Sequence, residues 1–258
     1  MEDITRGKLT VNGVQLHYAH RGDGPHTLLC ISGSLVSAEF TYKPQFEYFG
    51  RKGSGFKIVT FDLRGYGNSR PAERFNAATF YSADAEDAHA LMQALGFESY
   101  SVLGWCHGGA VAMVLAVMFP KEVEKLILIG SKSFFSQEDL DNFEKTRLVS
   151  TWPPHLKEIM AQFYSDELFQ ELWTKLLDIF AEIRTKYDGN ICREKLSQIG
   201  CPTLILHGAR DPMVSPSHAQ YLKDGIAGSR LVVMEEGKHW LHGKHSKEVN
   251  ALVETFVL

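Results

Sequence analysis

A doubly wound, mostly parallel α/β sheet is the fold class predicted by this sequence of 258 residues, and three observations carry the expectation. Short continuous apolar runs recur at residues 27–31, 57–61, 100–104, 125–129, 203–207 and 231–234, the pattern of strands buried on both faces. Stretches of helical period follow several of them, so the repeating unit is β-α-β. The chain is also long enough to bury one large core without disulfides or metals.

Taken in order, the chain opens with alternating apolar and polar residues at 8–11 and 14–18 around Asn12-Gly13. That dipeptide favours a type I′ turn, so a β-hairpin is expected. The next expected helix covers 82–95; another, 107–119, is almost wholly apolar, belongs in the interior, and ends before Pro120. Residues 215–223 and 244–256 are the last two expected helices. Between 131 and 198 no strand-like run occurs, while 156–164 and 167–186 are amphipathic and aromatic-rich. The expected organisation is a core in two parts, 1–130 and 199–258, with a helical cap at 131–198. Which of Trp152, Phe163, Tyr164, Phe169, Trp173 and Phe180 face a pocket is not written in the sequence, and each could be cap core.

Composition excludes several function classes. With 27 basic and 31 acidic residues the net charge is −4, and 44% of residues are hydrophobic. A dense basic run, the electrostatic footprint of nucleic-acid binding, is missing. No apolar run approaches the roughly 18 residues of a membrane-spanning helix. Residues 1–8 mix Glu2 and Asp3 with Arg6, unlike a secretory signal or a transit peptide, so a cytoplasmic protein is expected. Cys30, Cys106, Cys192 and Cys201 lack C-x-x-C spacing, which argues against zinc and a disulfide framework. Neither metal nor cofactor is expected, since no ligand cluster and no G-x-G-x-x-G loop occurs. A monomer acting on a small molecule is the expectation.

In such a sheet chemistry sits at the carboxyl ends of the strands. The run 100–104 leads into Gly104-Trp105-Cys106-His107-Gly108-Gly109, a G-x-C-x-G sequence between strand and helix. This is the shape of a nucleophile elbow, with glycines where strand and helix crowd together and the thiol at a helix N-terminus that favours thiolate. A buried structural cysteine is the plainer alternative. The run 203–207 leads to Asp211 and the run 231–234 leads to His239, so nucleophile, acid and histidine follow one another, each after a strand. His242 and His245 compete for the role of base; His239 is preferred because it directly follows a strand, and His207 reads as structural. Ser32-Gly33-Ser34-Leu35 follows the run 27–31, so the Ser34 and His107 amides are expected to form an oxyanion hole. Leu35, Trp105, Trp152, Met213 and His242 are the expected pocket wall. The turn Asp62-Leu63-Arg64-Gly65-Tyr66-Gly67-Asn68-Ser69 is given a structural role, with Asp62 and Arg64 hydrogen-bonding backbone and each other.

The turn at 62–69, the elbow and the Asp211/His239 pair together resemble the α/β-hydrolase superfamily. Finer matches, above all Asp188-Gly189-Asn190-Ile191-Cys192-Arg193 and Glu236-Gly237-Lys238-His239, resemble its valacyclovir hydrolase (biphenyl hydrolase-like) branch. The resemblance implies ester hydrolysis, with a preference for α-amino-acid esters, by a serine, histidine and aspartate triad under a helical cap. It also implies a mitochondrial presequence, which residues 1–8 are not expected to be. The sequence departs from the branch at two positions: Cys106 replaces the serine, and His107 replaces the aspartate that receives the substrate's ammonium group. The expected activity is therefore hydrolysis of small esters, lactones or thioesters by Cys106, His239 and Asp211 through an acyl-enzyme. The alternatives are a hydrolase impaired or engineered by a Ser-to-Cys change, and a small-molecule binding protein on the same fold.

Overall fold

The computed structural model describes residues 4–72 and 74–258. The expectation for the N-terminus falls partly on residues 1–3, outside the described residues. Strands β1 (Thr5–Val11) and β2 (Val14–Arg21) form the expected hairpin, with Asn12 and Gly13 both at positive φ, as a type I′ turn requires. The remaining strands are β3 (His26–Ile31), β4 (Phe56–Phe61), β5 (Tyr100–Trp105), β6 (Val123–Ile129), β7 (Thr203–Gly208) and β8 (Arg230–Met234). All eight join one sheet in the order β1-β2-β4-β3-β5-β6-β7-β8. Pairing is antiparallel at β1-β2 and β2-β4 and parallel elsewhere. The central strands have apolar side chains on both faces because helices cover both: Leu28, Cys30, Leu103 and Ile127 point to one side, Leu29, Ile31, Val102 and Leu128 to the other.

Before β4 the chain forms two helices that the periodicity did not predict, α1 (Ala38–Thr41) and α2 (Lys43–Phe49). Pro44 sits in the first turn of α2, where its missing N–H costs nothing. Helix α3 (Phe80–Ala94) starts two residues before the expected position, and α4 (His107–Met118) is the buried helix, with ten of its residues buried. Between β6 and β7 lie α5 (Gln137–Glu144), α6 (Pro154–Met160) and α7 (Asp166–Lys186), and no named strand among the described residues. Helix α5 was missed, although Ser136 and Asp139 close a capping box that S-x-x-D announces. After β7 come α8 (Pro216–Gly225), then α9 (Leu241–Lys244) and α10 (Ser246–Val257) after β8. The last two correct the single expected helix at 244–256, because the chain turns at His245 (φ −115°).

The insertion packs on the core through Tyr164, whose hydroxyl accepts the Gly67 N–H at 2.8 Å, and Arg70, which donates to the Phe163 carbonyl at 2.7 Å. Asp62 accepts the backbone N–H groups of Ala38 (2.7 Å) and Asn68 (2.8 Å), tying the loop after β4 to α1. The expected pairing of Asp62 with Arg64 does not form. Arg64 instead makes two bonds of 2.7 and 2.6 Å to Asp87 on α3, a partner far away in sequence.

Candidate active site

Cys106 occupies the sharp turn between β5 and α4, at φ 55° and ψ −119°. A non-glycine residue holds such a conformation only when its surroundings force it, and strain of this kind gathers at functional sites. The forcing is visible in the glycines: a Cβ on Gly104 would lie 2.4 Å from the Gly108 carbonyl oxygen, and one on Gly108 would lie 2.0 Å from that of Ile31. Only glycine lets the end of β3 and the start of α4 approach this closely. The Cys106 N–H donates to Ile129 O at 2.9 Å, so the elbow is also pinned to β6.

The loops after β7 and β8 are laced together. Ala209 N–H donates to Met234 O and Arg210 N–H to Gly237 O, each at 2.9 Å. This lacing brings Asp211 and His239 into contact: His239 Nδ1 lies 2.7 Å from Asp211 Oδ2, while Oδ1 accepts the N–H groups of Met213 (2.8 Å) and Val214 (3.0 Å). Gly130, at the end of β6 with φ +53°, leaves the space they need, because a Cβ there would sit 3.2 Å from Asp211 Oδ2. Trp105 Nε1 donates to His239 O at 2.9 Å and fixes the loop from the other side. His239 stands within hydrogen-bonding reach of Cys106.

Electrostatics at the three residues favour charge separation. Burial pushes the Cys106 thiol up, but the His239 imidazolium, by its charge and its hydrogen bond, and Lys132 beyond it bring the thiol below its ordinary value. Burial alone would lower His239, yet the Cys106 thiolate and the Asp211 carboxylate together raise it. Asp211 stays below the usual carboxylate range because the His239 bond and its two amide donors outweigh its burial. These influences favour a thiolate–imidazolium pair, with the carboxylate beside the imidazole, and the titration belongs to the pair. Alkylation by iodoacetamide follows the thiolate fraction. Its rate at Cys106 should therefore persist below the ordinary thiol pKa of roughly 8.5. In His239→Ala the cation is gone, burial dominates, and the rate at neutral pH should collapse; mass-detected alkylation across pH checks this.

Two backbone N–H groups flank the elbow. Those of Ser34 and His107 have no protein acceptor among the described residues. A Cβ on Gly33 would lie 3.6 Å from Cys106 Cβ, which places the loop after β3 beside the thiol, and the next residue but one, Leu35, is held at φ 61°. Of the expected wall residues, Trp105 is half-buried against the His239 ring at 5.3 Å between centroids, and Met213 follows Asp211. Leu35 is buried. His242 has no exposed surface: its ring lies 5.0 Å from those of Tyr42 and Trp105, and burial drops it to about 3. It backs Trp105 as a neutral, packed residue. Trp152 is half-buried in the insertion, edge-on to Phe169 and Trp173 at 5.3 and 4.9 Å. His207 is buried and bonded to Val214 O at 3.0 Å, and His245 precedes α10.

Sequence reading missed a buried ionic cluster next to the elbow. His107 Nε2 lies 3.0 Å from Asp84 Oδ2, and Arg74 holds both Asp84 oxygens, at 3.1 and 2.7 Å. Its signal was Asp84 and Asp87 sharing a helix face with Ala88 and Leu91, carboxylates on an otherwise apolar stripe. A second buried group joins Lys132 to Asp139, which also lies 2.9 Å from His218 Nε2.

Residues 26–153 match the family described as alpha/beta hydrolase fold. The chain is 39% identical over 254 residues to human serine hydrolase BPHL, covering 98% of this chain and 87% of that protein. The mouse protein of the same name is 37% identical over the same length. Among solved structures, the meta-cleavage product hydrolase CumD of Pseudomonas fluorescens superposes with a TM-score of 0.81 at 21% identity, covering 97% of this chain and 96% of that one. The hydrolase BphD of Rhodococcus does so with 0.81 at 18%, covering 98% of each; both likenesses concern the fold alone. The sheet order, the elbow and the near full-length similarity lead to one conclusion: the chain belongs to the α/β-hydrolase family and is a hydrolase similar to serine hydrolase BPHL.

Proposed function

We propose that this protein hydrolyses small carboxylic esters or thioesters with Cys106 as nucleophile, His239 as acid and base, and Asp211 as the group that orients His239. The observation that carries the reading is the strained Cys106 at a strand-to-helix elbow, within hydrogen-bonding reach of a histidine that is itself 2.7 Å from a carboxylate. The thiolate sulfur attacks the ester carbonyl, and the C–O bond to the leaving group breaks as His239 gives its Nε2 proton to the departing oxygen. Water then attacks the thioester while His239 takes one of its protons; the C–S bond breaks, the acid leaves, and the pair is restored. The unpartnered Ser34 and His107 amides are the donors for the oxyanion in both halves. We place the helical segment 131–198 over this site as its cap, which sets substrate size.

Named relatives are serine hydrolases, so sulfur in place of oxygen needs its own test. p-Nitrophenyl acetate, quenched in acid during turnover, should leave an acetyl thioester on the peptide carrying Cys106, visible in the intact mass. Product release without that adduct in the wild type, or equal turnover by Cys106→Ala, contradicts the mechanism. Ligand-induced stabilisation without any product would favour a binding protein instead.

A further inference from the structure

The segment His239–His242 is held at three points: the His239 carbonyl accepts the Trp105 Nε1–H at 2.9 Å, the Trp240 Nε1–H donates to His242 Nε2 at 3.1 Å, and the His242 carbonyl accepts from Gln45 Nε2 at 2.9 Å. Gln45, on α2, is fully buried and also donates to Asn250 Oδ1 on α10 at 2.8 Å, so the last anchor is itself anchored. Trp105 is the residue before Cys106, and its ring packs against those of both His239, at 5.3 Å, and His242, at 5.0 Å. The neighbour of the nucleophile therefore touches the histidine beside the thiol and rests on His242.

An indole N–H can only donate, so His242 Nε2 is unprotonated and the ring proton sits on Nδ1. That N–H is buried with no partner among the described residues, a cost that an apolar side chain filling the same space would avoid. What the imidazole supplies is an acceptor for Trp240 and a ring without charge, since burial and the His239 charge both hold it far below the ordinary histidine range. A charged ring there would oppose the His239 imidazolium. Placement matters at this scale, because a displacement of about 1 Å at a reacting group can cost on the order of 100-fold in rate.

We propose that His242 is a positioning residue for the general base: through Trp105 and Trp240 it holds His239 within hydrogen-bonding reach of Cys106. The inference rests on the ester hydrolase reading for the role of His239, but the placement of His239 is measurable without turnover, because its imidazolium governs how alkylation of Cys106 depends on pH. The thiol is faced by His239 and Asp211, by Lys132 from the loop after β6, and by the buried phenols of Tyr42 and Tyr81. His242 is neutral and adds no charge of its own, so its removal acts on the thiol only by moving His239. In His242→Leu the iodoacetamide profile of Cys106 should move up by about one pH unit. For p-nitrophenyl acetate kcat should fall about tenfold or more, with KM little changed. His242→Gln, whose amide oxygen can accept from Trp240, should restore most of both. Should His242→Leu fail to fold, Trp240→Phe removes the same bond at a half-buried residue and should move the profile in the same direction. In a His239→Ala background neither change should add a further shift. An unchanged profile in the folded variants, or a shift that persists without His239, overturns the proposal. If the profile shifts as expected while the wild type releases no p-nitrophenol, the positioning role stands and the hydrolase mechanism falls.

Discussion

Cys106→Ala should lower kcat/KM for p-nitrophenyl acetate on the order of 10⁴-fold, leaving only what the oxyanion donors and binding supply. His239→Ala should cost a similar factor, because the thiol then loses both its counter-ion and its proton acceptor, and burial drives it to the neutral form. The double variant should be no slower than either single one. Residues that act as one device are non-additive, and this test separates a nucleophile–base pair from two independently useful side chains. Circular dichroism should show both single variants folded, since Cys106 is only partly buried and the His239 loop keeps its backbone ties to the loop after β7. Losses that multiply in the double variant would contradict the pairing.

Asp84→Ala should destabilise the protein by about 3–5 kcal/mol, because it leaves the Arg74 guanidinium buried without its counter-charge. Both side chains are almost inaccessible, and Arg74 has no other anion among the contacts described. Urea unfolding measures the loss. Replacing the pair together, Arg74→Met with Asp84→Leu, should cost less than Asp84→Ala alone, since the desolvation of both ions is relieved at once. A double variant less stable than Asp84→Ala would mean that the cluster acts through the shape and bonds of Arg74 rather than through charge balance.

The parts of the fold legible in the sequence are those written by local rules. Asn12-Gly13 named its own turn, and the apolar runs of β3 to β7 were visible because these strands are buried between helices, whereas β8, an edge strand with Val233 exposed, was legible from its run of apolar residues alone. The elbow was equally legible, since Gly104 and Gly108 are demanded by backbone crowding that leaves a fixed spacing around Cys106. Asp211 and His239 could be chosen by their place after strands, and the loop pairing that brings them within 2.7 Å is a consequence of β7 and β8 being neighbours.

What escaped were partnerships set by tertiary packing. Arg64 was expected to bond Asp62, two residues away, but Asp62 is saturated by backbone amides while Asp87 presents a buried carboxylate from α3. His242 looked like a wall residue by chemistry and lies fully buried behind Trp105, while Trp152 is half-buried against Trp173 in the helical insertion. Helices α1 and α2 went unseen because residues 38–49 are aromatic-rich without a clean period and contain Pro44, which reads as a breaker unless its position in the first turn is known. The environment of His107 could not be derived from spacing, since Arg74 and Asp84 reach it from a loop and a helix earlier in the chain.

The central claim is that sulfur at position 106 is a working nucleophile in an elbow shared with serine hydrolases. Multiple-turnover hydrolysis of p-nitrophenyl acetate by the wild type and Cys106→Ser, side by side at neutral pH, tests it most directly. The account predicts sustained turnover of many enzyme equivalents by the wild type, faster than by Cys106→Ser, because the neighbouring imidazolium favours the thiolate while a serine hydroxyl stays protonated. A single burst that leaves the wild type acylated while Cys106→Ser turns over freely would contradict it.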